Sequence, residues 1–198
     1  MARKVEILGQ EWLSQQFMKL ARFTLKHERY DGTLAGPMTR EIIMRPPAVG
    51  VVPYDPTTDQ ILLIEQFRVA AHLGGMPAWQ REIIAGIADR EESLEDLARR
   101  EAMEEANCKV TDLFEMFRYL PSPGITNEIF VVFLGRMAPG AVTGVHGLAT
   151  EHEDIRSTLF RFDQIPEILE NGATGNGPLI TTLQWMQLNR DRIRTLWR

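Results

Sequence analysis

GIADREESLEDLARREAMEEANC, running from Gly86 to Cys108, decides how the rest of the chain is read. Ser93 with Asp96 beyond it has the form of a helix N-cap pair, so a helix is predicted from Leu94, and Asn107 can take the left-handed conformation that closes one. At about 100° per residue, Leu97 and Ala98 fall about 60° and 40° to either side of Leu94 and define an inward apolar face. On the same count Glu101 and Glu105 lie within about 20° of Leu94, with Glu104 about 80° away, so two carboxylates occupy the azimuth that the first turns give to packing. Like charges one helical turn apart repel by roughly 0.2–0.5 kcal/mol even in water, and burying them uncompensated costs far more. A solvated acidic helix partnered by Arg99 and Arg100 is one reading; a bound cation that removes both penalties is the other. Hard oxygen donors of this kind suit Mg²⁺ or Mn²⁺.

Outward from that helix, the chain is 198 residues long and 44% hydrophobic, enough for one substantial core plus an appendage. Residues 1–46 alternate with a strand-like period of two, interrupted by the turn Asp31-Gly32, and read as a small β unit; Pro46-Pro47 ends it. Residues 47–198 form the main domain. Strands are predicted over Ala48–Tyr54, Gln60–Phe67, Glu82–Ala85, Leu113–Leu120, Ile129–Gly135 and Thr158–Phe162, and helices over Ser93–Ala106, Asp163–Glu170 and Pro178–Leu196. That mixture predicts an α/β fold, an α/β/α sandwich around a mixed sheet. A net charge of −5 leaves no basic stripe for nucleic acid or anionic lipid, so the expected partner is a small molecule. The single cysteine, Cys108, precludes an internal disulfide framework, and no run is long and apolar enough for a signal peptide or a membrane span, so a cytoplasmic location is expected.

The same segment resembles the Nudix box, GX5EX7REUXEEXGU with U a bulky aliphatic: Gly86, Glu92, Arg100, Glu101, Glu104 and Glu105 all stand at its spacing. Ala102 and Cys108 depart at the aliphatic positions, and Asn107 replaces a glycine, the commonest non-glycine residue to accept positive φ. Beyond the box, LIEQFRVAA before it, SPGITNE after it and the later HGLATEHEDIR resemble the ADP-ribose pyrophosphatase branch of that family in order and spacing. The resemblance implies a metal-dependent pyrophosphohydrolase that converts ADP-ribose to AMP and ribose 5-phosphate. It also implies a homodimer in which the N-terminal β unit exchanges between subunits.

Carried over residue by residue, the resemblance makes Glu101, Glu105, Glu153 and the carbonyl of Ala85 the ligands of Mg²⁺, and Glu151 the base that activates water. Glu104 is implied to hold an additional ion or to stand just outside the ligands. Arg100 is expected to orient a neighbouring carboxylate, and Glu92 to play a structural part. The positions that the branch uses for adenine, ribose and diphosphate are Phe17 (from the partner subunit), Arg40, Arg45, Arg68, Ser122, Gly124 and Glu128, with Ile87 contributing its backbone. From the pattern alone, Phe17 equally suits a core and Arg40 and Arg45 equally suit strand-edge charges. A close alternative is a hydrolase of GDP-mannose or another nucleoside-diphosphate sugar. An alternative of another class, a non-catalytic nucleotide-sensing module, is expected to lose box carboxylates, and this chain keeps them all.

Overall fold

Period-two patterning from Val5 to Met44 builds three strands, β1 (Val5–Gln15), β2 (Lys19–Glu28) and β3 (Leu34–Met44), joined antiparallel in the order β1-β2-β3. The computed structural model describes residues 3–140, 143–148, 150, 152–171 and 175–197. At the tip between β2 and β3, Asp31 Oδ1 accepts from the Thr33 amide at 2.9 Å and from its hydroxyl at 2.7 Å, and Gly32 turns at φ +83°. Register shifts fall between Ile7 and Gly9, between Trp12 and Ser14, and between Leu25 and His27. Leu120–Ile129 belongs to this unit: the Ile43 amide donates to the Ile125 carbonyl at 2.8 Å, and Ile43 bridges Thr126. The sequence reading assigns that loop to the main domain; pairing with the end of β3 is what draws it here. Among the described residues of this unit only Ala21 and Ala35 are buried, while Val5, Ile7, Leu8 and Trp12 are exposed.

The second unit runs from Ala48 to Tyr119 and resumes at Phe130. Its strands are β4 (Ala48–Asp55), β5 (Gln60–Phe67), β6 (Trp79–Glu82), β7 (Ile84–Ile87), β8 (Val110–Tyr119), β9 (Phe130–Met137), β10 (Gly144–His146) and β11 (Ile155–Arg161). Its helices are α1 (Val69–Leu73), α2 (Leu94–Ala106), α3 (Ile165–Glu170), α4 (Gly177–Leu188) and α5 (Arg190–Thr195). The sheet runs β10-β11-β5-β4-β9-β8, with β6 added to β5 and β7 to β4; β4 and β9 are parallel and the other pairs antiparallel, so the sheet is mixed. Alternation splits the core into two layers. Val49, Val51, Leu62, Ile64, Val131 and Phe133 pack with Leu97, Ala98, Ala102 and Ala106 of α2, while Val52, Tyr54, Ile61, Leu63, Val132 and Leu134 pack with Leu179, Leu183, Met186 and Ile193. No helix among the described residues is long and apolar enough to cross a membrane.

Two predicted elements divide. The strand expected over Glu82–Ala85 breaks at Ile83, because its first part hydrogen-bonds to β5 and its second to β4. The helix expected over Pro178–Leu196 breaks at Asn189, whose side-chain amide donates to the Trp185 carbonyl at 2.9 Å and whose φ of −113° leaves the helical region. The helix over the box keeps its predicted ends. Ser93 Oγ accepts from the Asp96 amide at 3.1 Å, and Asn107 at φ 45° donates its amide to the Met103 carbonyl while the Cys108 amide reaches the Ala102 carbonyl. This closure puts a side chain where glycine is cheapest. Asn107→Ala is therefore expected to cost about 1 kcal/mol, lowering the melting temperature by roughly 2–4 °C for a chain of this size, with Asn107→Gly at least as stable as the parent. Equal melting temperatures for all three would show that the cap is unstrained.

Candidate active site

β7 carries its backbone past the inward face of α2 so closely that a Cβ at Gly86 would lie 2.3 Å from Glu101 Oε1; only glycine leaves room for that carboxylate. One turn on, Glu105 is 5% exposed, and its Oε2 accepts from the Ala85 amide at 3.2 Å. Ala85, Gly86, Glu101 and Glu105 are thus brought together by the packing of one short strand on one helix. Leu97, fully buried on this helix, contributes roughly 1.5–3 kcal/mol, several times the repulsion of an exposed glutamate pair, which keeps α2 docked with its carboxylates turned inward.

The electrostatics record the cost. Burial pushes the Glu101 carboxyl up to about 7; Arg100 opposes that rise, and Glu104 and Glu153 add to it. Glu105 is driven well above the ordinary carboxylate range, first by burial and then by Glu101, with the Ala85 amide pulling the other way and Glu153 and Arg68 acting more weakly. Arg100 sits among the remaining acids: its guanidinium lies 2.9 Å from Glu92, 3.0 Å from Glu101 and 2.8 Å from Glu104. Although its Cα azimuth points away from Glu101 and Glu105, the long stem folds back, so one cation is shared by three box carboxylates.

Glu153 lies close enough to influence both the Glu101 and the Glu105 carboxyls, and its own Oε2 accepts from the Leu148 amide at 3.1 Å. Glu151 lies outside the described residues. Among the described residues no three acidic, imidazole or thiol groups stand at ligand spacing as placed. The donor chemistry nonetheless fits a hard divalent cation: a buried and a half-buried carboxylate with raised pKa values, a third beside them and a backbone strand at their side are oxygen donors whose charges need a positive partner. His72, His146 and His152 fall on α1, β10 and the Glu153 loop and form no such cluster.

Arg68, an expected substrate contact, is engaged by a carboxylate of its own unit. Its Nε and Nη2 bind Glu82 at 3.0 and 2.7 Å, and Gln66 Nε2 donates to the same carboxylate at 3.2 Å. Glu82, only 4% exposed, was not singled out in the sequence; an acid in the otherwise apolar run EIIAG was its one available signal. Ile87 ends β7, partly buried. In the first unit, Arg45 pairs with Glu128 at 2.8 Å, Arg40 Nη1 donates to the Thr39 carbonyl at 2.7 Å, and the Ser122 carbonyl accepts the amides of Ile125 and Thr126 at 3.0 Å. Gly124 has open space around it, and Phe17, in the turn between β1 and β2, is 91% exposed and not a core residue.

The NUDIX domain family model matches residues 44–183. ADP-ribose pyrophosphatase of Escherichia coli (strain K12) is 36% identical over 193 residues, covering 98% of this chain and 92% of that protein. The Haemophilus influenzae protein of the same name is 34% identical over 197 residues, covering 98% of this chain and 91% of its own length. GDP-mannose pyrophosphatase of Enterobacter sp. is 28% identical over 190 residues, covering 96% and 98%. A solved structure described as an ADP compounds hydrolase has the same fold, with a TM-score of 0.72 at 17% identity over 97% of each chain. Nudix hydrolases generally use divalent metal cations. A family model over most of the chain, relatives along nearly all of it and the box carboxylates gathered against β7 agree: the chain belongs to the Nudix hydrolase family.

Proposed function

We propose that this protein hydrolyses the diphosphate of ADP-ribose to AMP and ribose 5-phosphate with Mg²⁺, which Mn²⁺ can replace. The observation that carries the reading is the Glu101–Glu105 pair on the box helix, Glu105 buried and Glu101 half-buried, in a chain 36% identical along 98% of its length to an ADP-ribose pyrophosphatase. Glu101, Glu105, Glu153 and the carbonyl of Ala85 would hold the ion. Bound there, a divalent cation neutralises the diphosphate, lowers the pKa of water and stabilises the leaving phosphate. Glu151 takes the proton of the attacking water as its oxygen bonds to phosphorus and the bond from phosphorus to the bridging oxygen breaks. Arg100 keeps Glu101 and Glu104 from spreading apart, and Glu104 serves an additional ion or remains with Arg100.

Arg68 meets the substrate already oriented by Glu82, and Arg45 by Glu128, which limits the rotamer freedom lost on binding. Arg40, Ser122, Gly124, the backbone of Ile87 and Phe17 complete the nucleotide contacts, Phe17 stacking adenine from the partner subunit. Residues 1–46 serve as an exchanging dimerisation unit and 47–198 as the catalytic domain. Support for the dimer comes from the first unit's exposed Val5, Ile7, Trp12 and Phe17 and its near absence of buried side chains. The free, buried Cys108 suits a reducing cytoplasm. GDP-mannose is the second reading, favoured by relatives at 27–28% identity.

Hydrolysis is expected with ADP-ribose in preference to GDP-mannose, and is expected to stop in EDTA; product chromatography checks both, and turnover of GDP-mannose alone would replace the substrate. Glu151→Gln is expected to lower kcat by about 10²–10⁴ with an unchanged circular dichroism spectrum, and full activity in that variant would remove Glu151 as the base. For the metal-free protein the pH dependence has a definite sign. Between the ordinary carboxylate value of 4.5 and about 7, the folded protein keeps a proton on Glu101 that the unfolded chain releases, so stability falls as pH rises through that window. Glu101→Gln should therefore gain on the parent across that window and level off above it, and saturating Mg²⁺ should reverse the difference. Urea melts at a series of pH values check this; a pH-independent gap would reject it.

A further inference from the structure

Gly147 stands where the loop that follows β10 meets the closing turn of α2. With the Asn107 amide on Met103 and the Cys108 amide on Ala102, the Glu104 carbonyl is one of the helix-end acceptors without a partner inside the helix. The Gly147 amide donates to it at 3.3 Å. Immediately after, the loop closes on itself at its neck: the Leu148 amide donates to the Glu153 carboxylate at 3.1 Å and the Glu153 amide to the Leu148 carbonyl at 3.3 Å. Gly147 has φ +107°, and a Cβ there would lie 2.7 Å from Glu153 Cβ and 3.2 Å from its carbonyl carbon and oxygen. The backbone conformation and the space thus both exclude a side chain.

We propose that Gly147 is a positioning residue of the active site, pinning the neck of the Glu153 loop to the Glu104 carbonyl so that Glu153 is held at a fixed distance from Glu101 and Glu105. The assignment rests on the metal-dependent reading above. A helix end and a loop, separate in sequence, share one hydrogen bond, and beside it the loop packs tightly on itself where Gly147 meets Glu153. A methyl group at Gly147 displaces Glu153 directly, because the nearest atoms are that residue's own Cβ and backbone rather than the far end of a flexible side chain.

The test uses the full chain and Mn²⁺ as probe, titrated by electron paramagnetic resonance without substrate, alongside ADP-ribose kinetics and melting temperature. Gly147→Ala is expected to weaken Mn²⁺ binding by about 10–100-fold and to lower kcat more than it raises KM. The double variant Gly147→Ala/Glu153→Gln is expected to bind no more weakly than Glu153→Gln alone, because both act through the same carboxylate. Gly140→Ala is the control: φ is +95° there too, but nothing stands within 4 Å, so it carries the backbone strain and should keep parental Mn²⁺ affinity and kcat. Parental Mn²⁺ affinity in Gly147→Ala, or additive losses in the double variant, would overturn the assignment. If Gly147→Ala does not fold, amide exchange in the parent decides: slow exchange of Gly147 and Glu153 together, slowed further by Mg²⁺, supports it, and free-amide rates with or without Mg²⁺ overturn it. A parent that binds Mn²⁺ but hydrolyses no diphosphate would instead defeat the functional reading, and the Mn²⁺ comparison would still judge Gly147.

Discussion

Two carboxylates, one helical turn apart, face the inside of a protein, and much of the second unit answers that constraint. Glu101 and Glu105 could each have been solvated by rotating α2, yet Leu97, Ala98, Ala102 and Ala106 hold the helix in the orientation that buries Glu105 and half-buries Glu101. The surroundings then limit the penalty piece by piece. The Ala85 amide meets Glu105, the absence of a side chain at Gly86 admits Glu101, and Arg100 spreads its charge over Glu92, Glu101 and Glu104. What stays uncompensated appears as raised pKa values, the condition under which a divalent cation binds with the greatest electrostatic return.

Arginine is used twice in the same manner. Arg68 on Glu82 and Arg45 on Glu128 are each held by a carboxylate that is itself largely shielded from water. A guanidinium so held keeps its charge and donors that the partner does not occupy while losing its rotational freedom during folding. Lysine, a compact point charge on a flexible stem, would not be fixed in the same way.

The box helix was readable from sequence because everything that defines it is local: the Ser93 cap, the Asn107 closure and the azimuths of Glu101 and Glu105 all lie within one segment. The sandwich was readable for a related reason, since the order of strands and helices and the continuously apolar runs Ala48–Tyr54 and Gln60–Phe67 can be read without knowledge of partners. What stayed hidden depends on pairing between distant segments. The break at Ile83 exists because β6 and β7 choose different neighbours, and the allegiance of Leu120–Ile129 to the first unit follows from backbone pairing with Ile43. The Arg68–Glu82 pair likewise requires the register of β5 against β6, in which Ile64 stands opposite Glu82. Phe17 and Arg45 had two readings each, because exposure at a strand turn and an ion pair across 83 positions leave no periodic trace.

The register shifts in the three-stranded sheet have a consequence for how the protein behaves in a crowded solution. β1 and β3 are the outer strands of that sheet, and β1 exposes Val5, Ile7 and Leu8 along its length. A flat, apolar outer strand is a template onto which stray extended chains add and grow into aggregates. The shifts at Ile7/Gly9 and Trp12/Ser14 interrupt the ladder twice within β1, and Pro37 removes a donor from β3. The chain thereby keeps its exposed apolar strand while offering foreign strands only short stretches of matching hydrogen-bond rhythm.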